Sequence, residues 1–111
     1  MAYDEALAAR IREQLKGQRG VTEQRMFGGL AFLVNGNMAV AASGQGGVLV
    51  RADPDTGLNE LRTLAAEPMV MRGKPMDGWL RVDAAKVRTA KQLERCVTHG
   101  VSFARSLPPK R

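Results

Sequence analysis

The dipeptide Asn35-Gly36 lies between two apolar runs, residues 30–34 (Leu-Ala-Phe-Leu-Val) and 37–42 (Asn-Met-Ala-Val-Ala-Ala). Both residues of the pair accept the positive φ of a type I′ turn, so the segment predicts a β-hairpin closed by two residues. A two-residue turn sets the register: Val34 opposes Asn37, Leu33 opposes Met38, Phe32 opposes Ala39, and Ala31 opposes Val40. Alternation then puts Leu33, Met38, Ala31 and Val40 on one face, and Leu30, Phe32, Val34, Ala39 and Ala41 on the other. Neither face is polar. A hairpin of this kind is buried on both sides, or buried on one and used for association on the other, which suits a homodimer.

The flanking sequence supplies the rest of a small two-layer fold. Residues 3–16 predict an amphipathic helix: Tyr3, Leu7, Ile11 and Leu15 recur every four positions beside Ala8, and Gly17 and Gly20 end it. Strands are expected at 21–27 and 48–51, with Gly28-Gly29 and residues 43–47 as turns. Asp53 and Pro54 suit the N-cap and first position of a second helix. Its buried face is Leu58, Leu61, Leu64 and Ala65, and Pro68 ends it. Residues 69–73 and 79–83 read as strands joined by residues 74–78. Alternation gives Leu80 and Val82 one face, Trp79 and Arg81 the other.

Asp83 is expected to cap a last helix that runs to about Leu107, ahead of Pro108-Pro109. Its apolar arc collects Ala90, Leu93, Cys96, Val97, Gly100, Val101, Phe103, Ala104 and Leu107; Arg88, Lys91, Arg95, Thr98, His99, Ser102 and Arg105 lie opposite. The order α-β-β-β-β-α-β-β-α, with hairpins dominating, predicts an α+β fold. An antiparallel sheet of five or six strands carries helices packed on one face.

The chain of 111 residues reads as one domain, 1–111, with a basic tail at 106–111. One cysteine excludes an intramolecular disulfide and fits a reducing compartment. No signal peptide is read at the N-terminus, and no apolar run approaches the ~20 residues that span a bilayer. The expectation is a cytoplasmic protein that does not enter a membrane. The net charge of +6 has an address. Residues 84–111 hold seven basic residues and one acid, whereas residues 1–83 hold ten of each sign.

A set of segments carries a family resemblance. They are Arg25-Met26-Phe27-Gly28-Gly29, residues 30–38, Val50-Arg51, Arg72-Gly73-Lys74-Pro75-Met76, Gly78-Trp79-Leu80-Arg81-Val82 and Ser106-Leu107-Pro108-Pro109-Lys110. In order and spacing the chain resembles the TfoX/Sxy N-terminal domain family in its small stand-alone form. The resemblance implies a two-layer fold similar to secretion chaperones and a link to regulation of DNA-uptake competence. The founding members act on transcription and carry a second, C-terminal domain. The resemblance brings no catalytic residues.

Three groups of residues are candidates for binding. Arg25, Arg51, Arg72, Lys74 and Arg81 lie on or beside strands. If they converge, their side chains could hold a carboxylate or phosphate, with Gly28 and Gly29 admitting backbone amides. The alternative is a solvated face with salt bridges to Glu23, Asp77 or Asp83. Arg88, Lys91, Arg95 and Arg105 form a basic stripe that could track nucleic-acid phosphates, or be a solvated helix face. No aromatic residue interleaves with it, so base stacking has no support there. Trp79 and Met76 are candidate partner contacts, Trp79 alternatively stacking on an arginine. Met26, Met38, Met69, Met71 and Met76 fill a core or line an adaptable surface.

Cys96 reads as a buried structural thiol, and His99 lies on a different helix face from it. No nucleophile–base pair or metal set stands out, and Ser43-Gly44-Gln45-Gly46-Gly47 lacks the Lys-Ser/Thr of a phosphate loop. The expectation is a non-enzymatic regulatory or protein-interaction domain without cofactor, binding a protein partner or itself. An anion- or nucleotide-binding module and a weak nucleic-acid binder are the alternatives.

Overall fold

Six strands form one open antiparallel sheet in the order β1-β2-β3-β4-β6-β5. In chain order the elements are α1 (Glu5–Gln14), β1 (Val21–Met26), β2 (Gly29–Val34), β3 (Asn37–Ala42), β4 (Val48–Arg51), α2 (Gly57–Glu60), β5 (Glu67–Met71), β6 (Lys74–Val82) and α3 (Ala90–Ser106). The computed structural model describes residues 3–26 and 28–109. Phe27 at the expected end of the first strand, Lys110 and Arg111 of the basic tail, and the side chain of Met71 lie outside the described residues. The fold is α+β, with the element order read from the sequence.

One face of the sheet lies under α1 and α3. Leu7, Ala8, Ile11 and Leu15 of the first helical segment and Leu93, Cys96, Val97 and Val101 of α3 pack on Leu30, Phe32, Val34, Val48, Val50, Leu80 and Val82. Phe32, Ile11, Leu61 and Leu93 are among the largest fully buried side chains. Each contributes about 1.5–3 kcal/mol by leaving water. Asp4 caps α1 by accepting the Leu7 N–H at 3.1 Å. Arg12 on α1 then reaches β1, donating to both carboxylate oxygens of Glu23 at 2.6 and 2.8 Å. That contact holds the Glu23 carboxyl below its usual range, first through the hydrogen bond.

The Asn35-Gly36 turn closes the hairpin as expected, with φ of 54° and 83°. Val34↔Asn37 and Leu33↔Met38 pair as expected, but the register then shifts: Phe32 opposes Val40, and Ala31 opposes Ala41. A bulge inserts one extra residue on β3, so Val40 joins Ala39 in the core and Ala41 moves to the other face. The alternation expected for Val40 and Ala41 is therefore corrected. At this point α3 crosses β3 through Gly100, where a Cβ would overlap the Ala39 carbonyl.

Other boundaries are corrected too. The second helix is a turn after Pro54, one short α2 and a 3₁₀ turn at Arg62–Leu64. Gly57 meets the strand end directly, a Cβ there lying 2.7 Å from the Ala52 Cβ, and Leu58 is left 48% exposed. Pro68 does not end a helix. It sits in edge strand β5, opposite Leu80 and beside a register shift, a setting in which strands tolerate proline. The loop expected at 74–78 is part of the long strand β6, and Arg72-Gly73 is the two-residue turn, with φ of 54° and 79°. Asp83 caps a 3₁₀ turn rather than α3. Thr89 caps α3 in a reciprocal box with Gln92.

Candidate functional site

Among the described residues no helix packs on the second face of the sheet, yet Ala31, Met38, Ala41 and Leu49 on it are buried. The sheet curls over them. Met26 from edge strand β1 and Met69 from the opposite edge strand β5 pack on the same four residues, joined by Leu33 and Trp79. The result is a trough with two compartments. A cavity of about 620 Å³ is lined by Met26, Met38, Met69, Met76, Leu33 and Trp79, and walled at one end by Leu107–Pro109. A second, of about 210 Å³, shares Met26, Met38, Met69 and Leu49 with it and ends at Ser43–Gln45. Asn37, a buried polar residue, holds the end wall by donating its Nδ2 N–H to the Pro108 carbonyl at 2.9 Å.

The strand arginines separate into distinct places. Arg51 and Arg81 lie on the trough face because they pair across β4 and β6 with Trp79 and Leu49. The Arg51 guanidinium carbon stands 5.0 Å from the Trp79 ring and 5.0 Å from the Phe103 ring, and its Nη1 donates to the Gly78 carbonyl at 3.0 Å. Arg51 lines the larger compartment. Arg72, Arg81 and Gly29 line the smaller one. Arg81 donates its Nη2 N–H to the Gly46 carbonyl at 2.7 Å, while its buried Nε has no partner.

Arg25 pairs with Leu30, a core-face residue, so it stands on the opposite side of the sheet. Gly28 and Lys74 line neither compartment. Gly29 is required by packing, since a Cβ there would overlap the Ala42 carbonyl. Of the acids suggested as partners, Glu23 pairs with Arg12 and the Asp83 carboxylate caps the Ala85 N–H.

The basic stripe is partly spent within the chain. Arg95 donates to the Glu60 carbonyl at 2.8 Å and to the Thr63 hydroxyl. Arg105 donates to Gln18 Oε1 at 2.9 Å and to the Arg19 carbonyl at 3.0 Å. Arg88 precedes α3, and its carbonyl accepts from Arg10 at 3.2 Å. Arg88 and Lys91 make no side-chain hydrogen bond or ion pair among the described residues. Burial pushes the Cys96 thiol up to about 12, with Arg95 opposing slightly. His99 is not a solvated residue of the polar arc. Its Nδ1 faces Glu60 Oε2 at 2.7 Å and its Nε2 accepts the Asp53 N–H at 3.3 Å, which latches the segment after β4 onto α3.

The model of the TfoX N-terminal domain matches residues 13–104. The chain belongs to this family. Neither the curated proteins nor the solved structures yield a match. Within this TfoX N-terminal domain, every part of the trough falls inside the matched span except the end wall at Leu107–Pro109. The methionines and Trp79 were legible as candidate contacts in the sequence. Leu33 was legible too, on one hairpin face with Ala31 and Met38; Leu49 and the Asn37–Pro108 latch were not, because their meeting with that face depends on how far the sheet curls. No helix among the described residues is long and apolar enough to cross a membrane.

Proposed function

We propose that this TfoX N-terminal domain is a non-enzymatic regulatory domain that works by binding, and that the trough is its working surface. The observation that supports this reading is the trough itself: a largely apolar cavity of about 620 Å³ on a sheet face that no helix among the described residues covers, lined by four methionines and a tryptophan. Methionine side chains repack readily, so such a lining suits recognition. The volume is in the range of about 300–1,000 Å³ typical of ligand sites. The link to competence regulation comes from the family and belongs to the same proposal, as does a cytoplasmic location.

The test compares two variants in cells that make the protein. Leu33 is a half-buried wall residue of the trough, so Leu33→Glu places a charge there without opening the helix-side core. Purified Leu33→Glu should melt within a few degrees of the parent. In cells it should reproduce the gene-expression change caused by deleting the gene. Reversing Arg88 and Lys91 to glutamate should leave expression at the parental level. Parental expression with Leu33→Glu, or loss only with the helix reversals, overturns the reading in favour of a nucleic-acid surface.

A further inference from the structure

The trough carries an uneven charge. Its lining includes Arg51 in the larger compartment and Arg72 and Arg81 in the smaller, and among the described residues no carboxylate lines either one. Two arginines line this compartment of about 210 Å³: Arg72, exposed at the β5–β6 turn, and Arg81, whose neighbour across the strand pair is Glu67, a residue outside the lining. Arg81 also buries an Nε–H that has no acceptor. A buried donor left without an acceptor is costly, more so when the group is charged. The larger compartment is different. Its one cation, Arg51, is stacked against two aromatic rings and already bonded to the Gly78 carbonyl. The rest of its lining is mainly methionine, leucine, proline and tryptophan.

The two compartments are adjacent and share Met26, Met38, Leu49 and Met69 as lining, flexible side chains whose repacking joins them. A ligand that fits both has an apolar body for the larger and a negative head for the smaller. Walls at both ends, Leu107–Pro109 and Ser43–Gln45, limit its length. A three-turn helix, about 16 Å long and 10–12 Å wide, needs more than ~1,200 Å³ and is not enclosed by this space.

Resting on the reading of the trough as the working surface, we propose that it binds a single-chain amphipathic carboxylate of medium length. The carboxylate accepts from Arg72 and Arg81, guanidinium forks being matched to that group in shape and charge. The chain lies along the methionines and ends against Trp79. Trp79 is the only tryptophan, so it reports occupancy directly.

The experiment titrates the purified protein with sodium decanoate below its aggregation concentration, following Trp79 emission and melting temperature. Three controls accompany it: sodium butyrate, decyltrimethylammonium and inorganic phosphate. The expected result is a saturable change in Trp79 emission and a rise in melting temperature with decanoate alone. Arg72→Asn should weaken binding by about tenfold, the loss of one charged hydrogen bond. This variant keeps the turn, because asparagine tolerates the positive φ of 54° at that position.

A response to decyltrimethylammonium equal to that for decanoate overturns the proposal, as does an equal response to phosphate alone. Parental affinity in Arg72→Asn, or no response to decanoate, overturns it as well. Failure here is separable from failure of the wider reading. If decanoate does not bind but Leu33→Glu still abolishes regulation, the trough is a working surface for another occupant. If decanoate binds but Leu33→Glu regulates normally, the ligand site stands and the regulatory reading falls.

Discussion

Single atoms decide how closely the helix layer meets the sheet. Gly100 lets α3 rest on the Ala39 carbonyl at the β3 bulge. Alanine is the better helix former by about 1 kcal/mol, yet its Cβ would meet backbone that has no rotamer to change. Gly100→Ala should therefore destabilise the fold by about 1–3 kcal/mol net, the usual cost of overpacking. A thermal melt should show a fall of roughly 5–15 °C. An unchanged or raised melting temperature would show that α3 does not sit on β3 as described. Cys96 gives a second residue-scale expectation. The thiolate is the reactive form, and burial holds the Cys96 thiol up at about 12. Ellman's reagent at pH 8 should leave the native protein untouched and titrate one thiol once denaturant is added. Prompt reaction without denaturant would contradict the burial.

At the scale of elements, caps and turns settle the boundaries. Thr89 and Gln92 exchange hydrogen bonds at 3.1 and 3.0 Å at the start of α3. Thr89→Ala should cost about 1 kcal/mol, the usual value of an N-cap. Asp83→Ala should cost less, because Asp83 holds only a 3₁₀ turn outside the helix. Urea unfolding of both variants checks the order; the reverse order would put the helix start back at Asp83. The sequence Thr-Ala-Lys-Gln at 89–92 is a readable capping box, but Asp83 six residues earlier competes with it. The Arg72-Gly73 turn was harder to read. Arginine rarely takes positive φ, so nothing local marks it as a turn residue, and only pairing of Met71 with Lys74 places it there.

At the scale of the whole molecule, the charge excess of residues 84–111 meets the fold. Arg95 and Arg105 are bonded to neighbouring loops, which leaves Arg88 and Lys91 of the stripe. Neutralising about two phosphates gives a log–log salt slope of about −2 for duplex DNA. Binding measured from low to moderate salt should show that shallow slope and no sequence preference. A slope steeper than about −4 would mean that the stripe and tail act together as a nucleic-acid surface. The electrically balanced remainder behaves otherwise. It pairs Arg12 with Glu23 on the helix side, whereas the described lining of the trough holds arginines and no carboxylate.

The order of elements, the Asn35-Gly36 turn, the buried row Leu93, Cys96, Val97, Gly100, Val101 and Ala104 of α3 and the alternation that sets Trp79 and Arg81 against Leu80 and Val82 are all determined by the sequence alone. Each depends on residues within a few positions of one another, through helical or strand period and turn chemistry. The extra residue in β3, the exposure of Leu58, the passage of Pro68 into an edge strand and the packing of Met26 and Met69 on one cluster were decided only in three dimensions. These follow from how six twisted strands curl and from where Gly57 and Gly100 let helices approach. The two-sided apolar hairpin is the clearest case. Its sequence demands cover on both faces; the tertiary structure supplies two helices on one side and, on the other, the curl of its own sheet around an open trough.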